Sequence, residues 1–200
     1  LAPLMLSVTV TAALAQTGDP SAVVAPNANL VVQGIPPVPQ SLAEAVVKYN
    51  DFRGHAFVDW HPKRREMLVS HRRKGSNTVQ IYRLAEPMGT LQPLTNSTDP
   101  VSSADYEPRD GRYIVFERAT GGNEVGQIYR LALDVPDAQP VLLTNPDERN
   151  NFNLWLRQSG QMVFSSVPVD RTAAGGTRAK IMTSLYVMDP EKPEDKRKLG

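Results

Sequence analysis

Gln80-Ile81-Tyr82-Arg83-Leu84 and Gln127-Ile128-Tyr129-Arg130-Leu131 are one pentapeptide written twice, 47 residues apart. Leu94-Thr95-Asn96 and Leu143-Thr144-Asn145 repeat at a separation of 49. Two independent matches at nearly one period mark an internal repeat. Working outward, the first unit holds Phe57-Val58-Asp59-Trp60-His61-Pro62, then Met67-Leu68-Val69-Ser70, before its copy of the pentapeptide. The second holds Ala104-Asp105-Tyr106-Glu107-Pro108, then Tyr113-Ile114-Val115-Phe116. A third, more divergent unit holds Phe152-Asn153-Leu154-Trp155-Leu156, Met162-Val163-Phe164-Ser165, Ser184-Leu185-Tyr186-Val187-Met188 and Arg197-Lys198-Leu199.

Each unit is a series of short β-rich runs bounded by turn chemistry, the pattern of an antiparallel meander. Asp110-Gly111 and Ser159-Gly160 are tight-turn dipeptides, because glycine accepts positive φ without a Cβ clash. The first unit has Arg64-Arg65 at that point instead. Tyr113 to Phe116 is continuously apolar and reads as a strand covered on both faces. In the tyrosine strand, Gln127, Tyr129 and Leu131 alternate with Ile128 and Arg130, which predicts a less buried strand. Four strands in about 40 to 50 residues is the propeller pattern; the competing architecture is a β-sandwich with accidental internal similarity. The expected fold is all-β, an incomplete β-propeller of three four-stranded blades over 51–99, 100–149 and 150–200. A closed propeller has about four to eight blades. The chain stops at Lys198-Leu199-Gly200, where Thr-Asn completes the earlier units, and the expectation is therefore a fragment.

The chain before the repeats reads in three parts. Leu1 to Leu14 is almost free of polar groups and ends in Ala13-Leu14-Ala15, so 1–15 reads as a secretory signal segment with its basic n-region missing. The other reading is a buried N-terminal strand. Residues 16–40 carry Pro20, Pro26, Pro36, Pro37 and Pro39, a density that forbids helix and predicts an extended linker or strap. Over 41–50, Ser41 and Glu44 form a capping-box pattern, and Leu42, Ala45, Val46 and Tyr49 share one helical face.

With 40% hydrophobic and 22% charged residues, a packed core is expected. A net charge of +1, from 22 basic and 21 acidic residues, lacks the one-signed field of a nucleic-acid or membrane-surface protein. With no cysteine, disulfides and thiolate metal sites are excluded.

Candidate constellations are few. His55, His61 and His71 lie within 17 residues, yet no H-E-x-x-H spacing or converging ligand set accompanies them, and they read as solvated strand and turn residues. Gly121-Gly122-Asn123-Glu124 and Gly175-Gly176 open no helix and match no phosphate loop; flexible loops are expected there. Lys63-Arg64-Arg65 and Arg72-Arg73-Lys74 bracket one strand, as solvated hairpin ends or as a patch for an acidic ligand. Asn96-Ser97-Thr98 is a glycosylation sequon. Asp105, Glu107 and Asp110 alternate in direction, against a joint acid–base role. Trp60, Tyr106 and Trp155 stand at matching positions of the three units, and blade packing is expected of them, with substrate stacking as the alternative.

Trp60-His61-Pro62 and Tyr106-Glu107-Pro108-Arg109-Asp110-Gly111-Arg112 resemble the aromatic-x-Pro-x-Asp-Gly-Arg turn of TolB-type propeller repeats, as do the later Gln-Ile-Tyr and Leu-Thr matches. The run from the proline-rich leader through Tyr113-Ile114-Val115-Phe116 to Glu124 resembles the N-terminal propeller of exported bacterial serine peptidases of the prolyl oligopeptidase family, among them dipeptidyl-peptidases and acylaminoacyl-peptidases. The resemblance extends over about residues 36 to 199. It implies a periplasmic or secreted location and a propeller that gates short peptides to a C-terminal α/β-hydrolase domain of the same parent chain. That domain would carry serine in a G-x-S-x-G elbow, followed by Asp and His, all beyond residue 200. This chain contains no G-x-S-x-G, and no glutamate pair matches the one with which dipeptidyl-peptidases hold a substrate amino terminus. No catalytic, cofactor-binding or metal residue is therefore assigned within it, and nucleic acid or integral membrane contact after signal cleavage is not expected. The alternatives are a TolB-type periplasmic scaffold that binds protein without chemistry, and a non-hydrolytic enzyme with its site in the propeller channel.

Overall fold

The computed structural model describes residues 22–169 and 182–199. The signal segment, the start of the linker and Gly175-Gly176 lie outside them. The chain folds as two compact units, 1–52 and 53–200.

In the first unit the proline-rich strap closes on itself instead of running extended. Val23 and Pro39 form an antiparallel bridge, flanked by Val24 N–H to Val38 O at 2.9 Å and Gln40 N–H to Ala22 O at 2.8 Å. Helix α1 (Gln40–Asn50) follows directly. The expected capping box does not form: the residue at the N-cap is Pro39, which brings no side-chain acceptor. Ser41 already lies inside the first turn, and Glu44 is instead hydrogen-bonded by Gln40 Nε2 at 3.2 Å. No residue of α1 is buried.

The second unit is all-β. Among the described residues its twelve strands form three antiparallel four-stranded sheets, each in simple sequence order. Blade one is β1 (His55–Trp60), β2 (Met67–His71), β3 (Gln80–Leu84) and β4 (Gln92–Pro93). Blade two is β5 (Ala104–Tyr106), β6 (Tyr113–Arg118), β7 (Gln127–Ala132) and β8 (Val141–Leu142). Blade three is β9 (Glu148–Leu156), β10 (Gln161–Pro168), β11 (Ser184–Asp189) and β12 (Lys192–Lys198). These are three consecutive blades of an incomplete propeller.

The second strand of blade two lies between two sheets, and those of blades one and three each face one seam. Leu68 and Ile114 are fully buried in the seam between blades one and two, Met162 in the seam between blades two and three, and all of Tyr113–Phe116 is buried. Between blades one and two the core is Leu68, Ile81, Val101, Ala104, Tyr106, Ile114, Phe116 and Leu131. Between blades two and three it is Tyr113, Val115, Ile128, Leu143, Met162, Phe164 and Met188. Burying whole side chains at about 1.5–3 kcal/mol each, these two seams dominate the stability of the unit.

The structure explains why the pentapeptide and the Leu-Thr pair recur. Leu94, Leu143 and Leu199 N–H groups donate to the carbonyls of Ile81, Ile128 and Leu185, at 2.9, 2.9 and 2.8 Å. The following threonine turns its hydroxyl back: Thr95 Oγ1 accepts Ile81 N–H at 2.9 Å, and Thr144 Oγ1 accepts Ile128 N–H at 3.1 Å. Gln80 Nε2 holds the Ser97 and Asp99 carbonyls, both at 3.0 Å. Gln127 Nε2 holds the Glu148 carbonyl, while its oxygen accepts from Thr144 Oγ1 at 2.8 Å and Asn150 Nδ2 at 3.2 Å. Each glutamine thus fastens the chain as it leaves one blade for the next. Buried polar groups need such partners. The alternation in the tyrosine strand therefore does not make it an exposed one: Gln127, Ile128 and Leu131 are all buried.

Candidate functional site

Among the described residues two polar constellations stand out, both between blades. The first lies along the inner strands. β1 and β5, the first strands of their sheets, approach each other, and Asp59 clips them together. Its Oδ1 accepts Trp60 N–H at 2.9 Å, and its Oδ2 accepts Tyr106 N–H across the seam at 2.9 Å. Glu117 on β6 repeats the device toward blade three. Its Oε1 accepts Phe152 N–H at 2.6 Å, and its Oε2 accepts Asn151 Nδ2 at 3.3 Å. A free strand edge is a template for pairing with another chain. Here one N–H of β1, β5 and β9 apiece is taken up by a carboxylate.

Asp105, between these two, pays electrostatically for their presence. Burial first, then the charges of Asp59 and Glu117, push its carboxyl up to about 6. Its folded-state affinity for a proton is raised, so between about pH 4 and 6 the folded chain keeps a proton that the unfolded chain releases. Stability contributed by that proton is present at low pH and lost as pH rises through this interval. Asp105→Asn is expected to raise the unfolding free energy measured in urea at pH 7, by about 2 kcal/mol after allowance for partial exposure. The advantage is expected to vanish at pH 4. An equal effect at both pH values would show that the carboxylate charge is not the cause.

The second constellation is the hairpin turn joining β1 to β2. His61 is 5% exposed and Glu66 is 6% exposed, so this histidine is not the solvated residue its sequence context suggests. It is buried because the β5 aromatic and the neighbouring turn close over it. Tyr106 stands edge-on to its ring at 4.9 Å between centroids, and Gly111 packs directly on it. Its Nδ1 accepts Lys63 N–H at 3.1 Å and Arg64 N–H at 3.0 Å. Glu66 Oε1 accepts Tyr106 Oη–H at 3.1 Å and Arg64 Nη2 at 2.8 Å. These donors outweigh burial and hold the Glu66 carboxyl below its usual range. Lys63 reaches across the seam to Asp110.

The other residues singled out by sequence disperse. His55 and His71 stack on each other at 4.0 Å, away from His61. No group of three or more His, Cys, Asp or Glu among the described residues is placed to hold a metal ion. The two basic clusters cap opposite ends of β2. Lys63 and Arg64 are paired at the seam, while Arg73 lies over the Tyr82 ring at 5.8 Å. Glu107 faces away from Asp105, its carboxylate accepting the N–H groups of Arg109, Asp110 and Gly111 at 2.9, 2.8 and 3.0 Å. Asp110 is exposed on the surface. Gly121 and Gly122 adopt positive φ of 60° and 72° in an exposed turn, whose Gly121 N–H binds Asp99 Oδ1 at 2.8 Å.

The three matching aromatics have three different environments. Tyr106 is 2% exposed. Trp155 is half-buried against Tyr113 of blade two, at 6.4 Å between ring centroids. Trp60 is 57% exposed, so the blade packing expected of it is not found. Tyr106 and Trp155 pack back onto the blade before their own, and among the described residues no sheet covers that face of blade one for Trp60.

No protein-family model matches the chain, and no curated protein does. Solved structures do share its fold. A TolB-like protein from Agrobacterium tumefaciens superposes with a TM-score of 0.51 at 20% identity, over 74% of this chain and 49% of that one. The acylaminoacyl peptidase of Pyrococcus horikoshii superposes with a TM-score of 0.50 at 16% identity, over 75% of this chain and 25% of that one. The chain thus spans about half the length of the first and a quarter of the second. Its class is the β-propeller, of the kind seen in TolB-like proteins and in the propeller-bearing peptidase. No described helix is long and apolar enough to cross a membrane.

Proposed function

We propose that this chain is the N-terminal propeller of an exported serine peptidase of the prolyl oligopeptidase family, gating short peptides to a C-terminal α/β-hydrolase domain. The observation that carries the reading is the sequence run from the proline-rich leader to Glu124, which resembles those peptidases in order and spacing. The propeller likeness to an acylaminoacyl peptidase supports it. A propeller lid acts by size selection and by keeping bulk water from the reacting centre. Asp59 and Glu117 suit that role, because they occupy inner-edge N–H groups that would otherwise retain a passing peptide as an added strand. The chemistry of the hydrolase domain would be acyl transfer through serine, with histidine as base.

A TolB-type scaffold without chemistry is the second reading, favoured by the likeness to the TolB-like protein. Labelling of the full-length parent protein with a fluorophosphonate separates the two. One labelled serine in a G-x-S-x-G sequence beyond residue 200 is expected, with no label on these 200 residues. A reading frame that closes after further blades, with no labelled serine, leaves the scaffold.

A further inference from the structure

The three hairpin turns that join the first two strands of each blade are closed by different acceptors. In blade two it is the Glu107 carboxylate, with three backbone N–H groups. In blade three it is a backbone carbonyl, Leu156 O, which accepts from Ser159 and Gly160 N–H at 3.1 and 2.8 Å. In blade one it is the Nδ1 lone pair of His61, with Lys63 and Arg64 N–H. Only the last of these acceptors can be lost by protonation near neutral pH, since an imidazolium offers two donors and no acceptor. With Nδ1 accepting, the neutral ring carries its proton on Nε2, assigned from the hydrogen bonds. A second proton can go only to Nδ1, where two N–H groups already point.

The same short turn supplies much of the polar grip between blades one and two. Lys63 pairs with Asp110, and Glu66 takes the Tyr106 hydroxyl. We propose that the His61 turn is an acid-released latch on this seam: a proton added to Nδ1 expels the Lys63 and Arg64 N–H groups and frees the turn that holds Asp110 and Tyr106. The charged groups around the ring come from three elements. Arg64 and Glu66 belong to the turn itself, Arg83 to β3 and Glu107 to the turn after β5, with the neutral Tyr106 hydroxyl bound to Glu66. Burial, then Arg64, lowers the affinity of the ring for a proton; Glu66, with its Oε1 3.9 Å from Nε2, opposes this without reversing it. Because the folded-state pKa is depressed, the unfolded or opened turn takes the proton first. The latch is therefore intact above about pH 6.5 and weakens as pH falls below it. The Asp59 clip on Tyr106 N–H lies on the inner strands and does not depend on the imidazole, so release is local to the turn.

Amide hydrogen exchange on the intact chain tests this, read at Lys63 and Arg64 after correction for the intrinsic pH dependence. Protection at these two amides is expected to fall about tenfold from pH 7.5 to 5.5, one unit below the free imidazole pKa. The core amides of Ile81 and Ile114 are expected to hold theirs. His61→Asn keeps a side-chain acceptor at the same reach and cannot titrate, so its Lys63 and Arg64 protection should be the same at both pH values. Imidazole 15N spectra of the unmutated protein give an independent reading if that variant does not fold. An unprotonated Nδ1 persisting below pH 6.5 is expected. His61 titrating at or above the ordinary 6.5 with both amides still protected would overturn the latch, as would pH-dependent loss of protection in His61→Asn.

Discussion

Tyr106→Ala is expected to lower the unfolding free energy by about 4 kcal/mol, while Trp60→Ala, at the matching repeat position, costs less than about 1 kcal/mol. Tyr106 is 2% exposed and packs in the seam with Leu68, Ile81, Ile114 and Phe116. Removing its ring opens a cavity on both blades at once. It also strips Glu66 of one of its two side-chain donors, leaving Arg64 alone beside a buried carboxylate. Burial and the Glu66 charge raise the Tyr106 pKa far above the phenol range, so the hydroxyl remains a donor at every pH of interest. Tyr106→Phe separates the two losses. It keeps the ring and removes the hydrogen bond, for an expected cost of about 1–2 kcal/mol. Trp155→Ala should fall between the extremes, because the ring is half-buried against Tyr113 and Phe152. Urea midpoints at constant m-value measure all four variants. Equal costs for the three aromatics would contradict the rule that this position is buried only where a preceding blade covers it.

That rule also marks the boundary of what the sequence could reveal. A repeat states that Trp60, Tyr106 and Trp155 are equivalent by position. It does not state whether the neighbour that would bury each one is there. The strands themselves were legible, because apolar runs between turn residues report local backbone geometry. So was the Gly111 turn. The polar seam was less so, for two reasons. Gln80 and Gln127 were visible as a repeat, but their alternation with apolar residues suggests a wet face. Their amides instead bind carbonyls 17 to 21 residues away, a partnership with no local signature. Asp59 and Glu117 are harder still, since they do the same job from non-equivalent strands and so leave no periodic trace. His61 reads as solvated because no metal-ligand spacing or converging set accompanies it in the sequence. Yet what buries it arrives from Tyr106 and Gly111, more than 40 positions along the chain. An identical position across repeats could have drawn attention to it: His61 and Glu107 both precede proline and both close a turn with a side-chain acceptor.

Gly111→Ala is the substitution in which the two levels meet, and about 3 kcal/mol of destabilisation is expected from it. Gly111 has φ of 64°, a conformation that costs a residue with a Cβ roughly 1 kcal/mol or more. Gly160 has nearly the same φ, 72°, in the corresponding turn of blade three. The surroundings differ. A Cβ at Gly160 would come within 3.0 Å of the Arg109 guanidinium, the far end of a flexible side chain that can move aside. A Cβ at Gly111 would lie 2.7 Å from both Cδ2 and Cε1 of His61 and nearer still to Nε2. That ring is buried, held by two backbone N–H groups and backed by Tyr106, so it cannot yield without opening its own turn. Gly160→Ala should therefore cost only the backbone strain, about 1 kcal/mol, and the excess at Gly111 measures the imidazole contact. A double-mutant cycle isolates it: with His61→Ala already in place, Gly111→Ala should cost little more than Gly160→Ala does. Full additivity of the two changes would mean that the turn of blade two and the imidazole of blade one do not meet as described.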